Sequence, residues 1–104
     1  MADYFAVVRL PGPAWDHARG MTEQDGWPEH AAFMNGLAES GAIVLGGPLG
    51  EGQRRFLLIF DAESERQIQD RLAEDPWTPA GMLTIASIDR WSIVLDREAD
   101  VQPR

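Results

Sequence analysis

An α+β fold with an antiparallel sheet is what the sequence predicts, on three observations. Apolar runs rich in β-branched and aromatic residues stand at Tyr4–Leu10, Ala42–Gly47, Arg55–Asp61 and Met82–Leu95. Two stretches with helical character, Pro28–Ser40 and Ser64–Glu74, fall between them, so the order along the chain is βαββαβ. A chain of 104 residues has room for one core. That order is the split-βαβ, ferredoxin-like arrangement, with both helices on one face of the sheet. A single domain over residues 1–104 is expected, carrying a long loop at 11–27 and a charged tail at 96–104.

Each element has a local cause. The first strand stops at Pro11-Gly12-Pro13, a breaker cluster. The following stretch to Trp27 is polar and without sustained period, and so reads as a loop of the length that is usually functional or mobile. Pro28 suits the first position of a helix, Glu29 its positive end and Gly41 its stop. Phe33, Met34 and Leu37 share one stripe of that helix, and His30 stands three, four and seven residues before them, facing inward. Ala42–Gly47 and Arg55–Asp61 are joined by the glycine-rich PLGEGQ, a hairpin connection. Ser64 followed by Gln67 is a capping-box pattern, Ile68 and Leu72 form an apolar pair, and Asp75-Pro76 ends the second helix. Met82–Leu95 reads as one bent strand or two pieces, with Leu83, Ile85, Trp91, Ile93 and Leu95 on one face and a polar interruption at Ser87 and Asp89.

Strand three is apolar on both sides, Phe56, Leu58 and Phe60 on one and Leu57 and Ile59 on the other. Two helices cover one face only. A second copy packing sheet against sheet is the simplest cover, so a homodimer is expected, with a ligand pocket near the covered space.

Composition removes whole classes of function. Seventeen acidic residues stand against nine basic ones, all arginine, giving a formal charge of -8 that disfavours nucleic acid and anionic membranes as partners. Without lysine or cysteine there is no Schiff base, thiol nucleophile or thiolate metal site. No apolar run approaches the roughly 20 residues of a membrane span, and no secretory pattern opens the chain, so a cytoplasmic protein is expected. Gly46-Gly47-Pro48-Leu49-Gly50 lacks the ending of a phosphate loop and opens no helix, although glycine at 47 would let a ligand approach the backbone. No cofactor is expected. A metal site from His17, Asp25 and His30 has no rigid spacing behind it, and none is expected.

General acid–base chemistry near neutral pH falls to the two histidines, His17 in the polar loop and His30 on the inward stripe. Asp75 is the natural partner for His30, because acids at a helix C-terminus oppose the macrodipole unless something offsets them. A carboxylate on one ring nitrogen would fix the tautomer and leave the other nitrogen for substrate. The plain alternatives are a hydrogen-bonded core histidine and an Asp-Pro turn. Trp15, Trp27, Trp77 and Trp91 read as packing or interface anchors, some able to line a pocket for a flat molecule. Arg9 reads as a surface or interface ion-pair partner or as a clamp for a substrate carboxylate.

The run Trp27–Gly50, followed by Arg71–Trp77, Gly81 and Trp91–Leu95, resembles the YciI-like (YCII-related) family over nearly the whole chain. Its most specific elements are the helix-one histidine, Gly-Pro after strand two and Asp-Pro-aromatic after helix two, here His30, Gly47-Pro48 and Asp75-Pro76-Trp77. The resemblance implies a dimeric α+β barrel with a catalytic dyad of His30 and Asp75 in a pocket, and Arg9, Phe33, Gly47, Pro48 and Trp77 are expected to shape that pocket around the substrate. Cofactor-independent elimination or isomerisation of a small organic molecule is the activity it implies. The alternative is a non-catalytic dimer that binds a small metabolite or assists another enzyme.

Overall fold

The computed structural model describes residues 3–95. Strand β1 spans Tyr4–Pro11, helix α1 Trp27–Glu39, β2 Ile43–Pro48, β3 Phe56–Asp61, α2 Glu65–Ala73 and β4 Leu83–Trp91. The sheet order is β2-β3-β1-β4 with every neighbouring pair antiparallel, which is the ferredoxin-like topology. The expected tail at 96–104 lies outside the described residues.

Alternation along the central strands sorts the side chains. Phe5, Val7, Leu58 and Phe60 face the helices and pack with Leu37, Ile68 and Leu72 in the main core. The opposite face carries Ala6, paired with Ile59, and Val8, paired with Leu57. Leu45 on β2 and Trp91 on β4 extend that face, 69% and 45% exposed.

α1 begins one residue earlier than its proline suggests, because Gly26 takes the left-handed conformation (φ 78°) that turns the chain into the helix. Gly41 (φ 85°) ends it. For α2, the Ser64 hydroxyl accepts the Gln67 N–H at 3.1 Å, while Gln67 Oε1 accepts from Glu63 rather than from the cap residue itself. β4 departs from the simple alternation expected for it. Val8 pairs with Ser87 but Arg9 pairs with Ile85, leaving Ala86 as an extra residue. The bulge swaps faces, so Leu83 and Ile85 share the side of Arg9, whereas Trp91, paired with Tyr4, lies on the open face.

The stretch after β1 is more ordered than its composition suggests. Gly12 and Ala14 bond to Met82 and Gly81, and a Cβ on Gly12 would lie 2.2 Å from the Gly81 carbonyl oxygen. A short 3₁₀ turn, Met21–Glu23, follows. Buried Gln24 accepts the Asp16 N–H and donates to the carbonyls of Asp16 and Arg19. Trp15 packs with Phe56, Trp77, Met82 and Leu83 in a second core. No helix among the described residues is long and apolar enough to cross a membrane.

Candidate active site

Pro76 is the origin of the site's acidic half. A residue before proline is pushed out of the helical region, so α2 closes and Asp75 turns back beneath it. Asp75 Oδ1 accepts the Trp77 N–H at 3.0 Å, an Asx turn, and the side chain is completely buried. The plain turn reading and the partner reading therefore both hold for the geometry: the same carboxylate accepts from His30 Nδ1, 2.9 Å from each oxygen.

A third group joins them. Arg9, 1% exposed on β1, donates from one terminal nitrogen to Asp75 Oδ2 at 2.8 Å and from the other to Thr78 Oγ1 at 3.1 Å. Thr78 in turn donates to the carbonyl of Leu72 at 2.6 Å. The guanidinium thus serves a buried ion pair within the protein through one bond from each terminal nitrogen, which leaves further N–H donors, Nε among them, on a side chain that also lines the site's cavity. Burial alone raises the Asp75 pKa, but the hydrogen bonds from His30, Arg9 and the Trp77 N–H outweigh it and hold the carboxyl below its ordinary value. These contacts offset the helix-terminus cost.

Asp75 as a carboxylate only accepts, so His30 Nδ1 carries the proton. Trp77 stacks on the imidazole with centroids 3.9 Å apart and planes 9° from parallel, fixing the ring from behind, and Trp27 flanks it at 5.8 Å. Among the described residues, Arg9 Nε is the one buried side-chain nitrogen or oxygen without a partner. His30 Nε2 also bonds to nothing in the protein, so it must reach accessible space.

His30 lines a cavity of about 340 Å³ between α1 and the β2–β3 side of the sheet. Such a volume sits at the low end of the roughly 300–1,000 Å³ of small-molecule sites. Apolar side chains make most of its wall, with Arg9, Trp27, His30 and Asn35 as the hydrogen-bonding ones. Gly47 and Pro48 border it, and a Cβ on Gly47 would meet nothing within 4 Å. Phe33 and Trp77 do not line it: Phe33 packs against the main core and Trp77 backs the imidazole. His17 is exposed and Asp25 has an exposed carboxylate, while the Asp25 carbonyl accepts from Trp77 Nε1 at 2.8 Å. No group of three metal-ligating side chains occurs among the described residues.

Sequence reasoning passed over Thr78, Met21 and Asn35. Thr78 had a signal in its place at the end of the Asp75 turn. Asn35 had one in standing one residue beyond Met34 on α1, whereas Met21 had none, since it reaches the cavity from the loop.

Comparison with curated proteins gives no match. Among solved structures, 5-chloro-2-hydroxyhydroquinone dehydrochlorinase (TftG) from Burkholderia phenoliruptrix AC1100, in complex with 2,5-dihydroxybenzoquinone, is similar at TM-score 0.61 and 22% identity, over 93% of this chain and 99% of that one. At that identity the likeness is one of fold. The family model for the YCII-related domain matches residues 7–92, a span that holds every side chain of the site, and the chain belongs to the YCII-related family.

Proposed function

We propose that the protein is a cofactor-independent enzyme acting on a small hydroxylated ring compound, and that His30 moves the proton. The observation that carries this reading is one ring with two differently used nitrogens. Nδ1–H is held by buried Asp75, Nε2 has no partner in the protein, and the residue lines an apolar cavity. Nε2 takes a proton from a ring hydroxyl or a carbon next to a carbonyl. Asp75 stabilises the imidazolium that results, and Arg9 keeps Asp75 ionised and in place. Return of the proton to a ring carbon gives the keto tautomer and completes an isomerisation; where that carbon bears chloride, loss of a second hydroxyl proton as chloride departs completes the elimination of HCl, with no oxidant required. The ring class is suggested by the molecule bound to the similar structure and by the scarcity of charge in the cavity.

The working form is proposed to be a homodimer joined through the sheet face away from the helices, where Ala6, Val8 and Leu57 are half-buried and Trp91 is exposed. The test of function is incubation with 5-chloro-2-hydroxyhydroquinone and related halogenated phenols, followed by chloride release and product analysis. His30→Ala should lower the rate by about 10²–10⁴-fold, the usual worth of a positioned general base. Undiminished turnover in that variant, or rings that bind and are recovered unchanged, contradicts the proposal.

A further inference from the structure

Met21 borders the cavity from a segment with no long helix or strand to hold it. It packs against the Trp15–Trp77 core, and its backbone N–H donates to Gln53 Oε1 at 2.7 Å, across 32 positions of sequence. Gln53 belongs to the β2–β3 connection, and among the described residues it alone combines a side chain with a positive φ, 51°. L-residues pay for that conformation, which glycine adopts freely and asparagine tolerates. The neighbouring Gly50 and Gly52 have φ of 67° and 86°. A glycine or asparagine at 53 would relax the hairpin but fall short of Met21.

Strain kept where relief is one substitution away points to a use for the side chain. We infer that Gln53 is a specificity-determining positioning residue. It ties the hairpin to the 3₁₀ turn and so holds Met21 as the wall that limits ring size. This rests on the function proposed above and deepens it, naming small monocyclic rings as the preferred class. Of the other tethers of the segment, Gln24 donates its backbone N–H to the Met21 carbonyl at 3.2 Å and Trp77 bonds the Asp25 carbonyl, but the Met21 N–H itself is held by Gln53 and its side chain rests on the Trp77 core.

The experiment compares wild type, Gln53→Asn and Gln53→Glu by dissociation constants for 2,5-dihydroxybenzoquinone and the two-ring 2-hydroxy-1,4-naphthoquinone, with amide exchange at Met21 recorded alongside. Glutamate keeps the acceptor and its reach, so it should keep the wild-type preference for the single ring and the protection of Met21. Asparagine should lose the protection and shrink the preference roughly tenfold, the scale of one hydrogen bond and its consequences. A fall in melting temperature with an unchanged preference would make Gln53 merely structural and overturn the inference, as would wild type binding both rings equally. Wild type binding neither ring would instead overturn the functional reading on which the inference rests.

Discussion

Asp75 gathers donors from three places in the chain: Arg9 on the first strand, His30 on the first helix and the N–H of Trp77 just beyond it. Removing the carboxylate leaves a buried guanidinium without its counter-charge. Asp75→Asn should therefore cost about 3–5 kcal/mol of stability by urea unfolding, the range for breaking a buried pair from one side. Adding Arg9→Met should recover part of that loss, and a double-mutant cycle measures the coupling. The pH dependence follows from the lowered Asp75 pKa. Its stabilisation is complete above the ordinary carboxylate value near about 4 and is lost as pH falls through the lower folded-state value. The acid side of the stability curve should accordingly be shallower in Asp75→Asn. His30 and Asp75 were legible in the sequence from an inward helical stripe and from an acid placed against a helix dipole. Arg9 was legible as an ion-pair partner at a surface or interface, but neither its burial nor its acid could be read, because the pairing depends on a strand register and a turn 66 positions away.

The helices and strands came through from apolar spacing and breakers, and the departures have local causes. In β4, the extra residue Ala86 reverses the faces after Ile85, so a period of two carried through from Leu83 puts Trp91 on the wrong side. In the long loop, order comes from side chains bonding to distant backbone, which no period reveals. Trp77 is the main tether at the site. Trp77→Phe should keep a ring behind His30 but lose the bond to the Asp25 carbonyl, so amide exchange at Gly26 and Trp27 should quicken with little change in the sheet. Equal exchange rates would place the tether elsewhere. At the start of α2, Ser64→Ala should cost about 1 kcal/mol in unfolding experiments, as other lost N-caps do.

For the whole molecule, a sheet apolar on both faces was legible in strand three, and the structure places both helices on one side of it. What covers the other side is a property of the assembly. If a second copy does, Val8→Asp should halve the mass seen by sedimentation while leaving the far-ultraviolet circular dichroism of the fold intact. A wild type that sediments as a single chain at every concentration would contradict the dimer. The acidic balance of the chain, -8, works against attraction to phosphate-rich surfaces.

The central claim is that Asp75 holds the His30 proton on Nδ1 and frees Nε2 for the cavity. Nitrogen-15 NMR of the imidazole rings, at a pH where they are neutral, tests it most directly, with exposed His17 as the internal reference. His30 is expected to show a protonated Nδ1 and a bare Nε2, a pattern that Asp75→Asn disturbs and that 2,5-dihydroxybenzoquinone shifts at Nε2. A proton on Nε2 in the wild type, or a His30 spectrum indifferent to Asp75→Asn, would contradict the account.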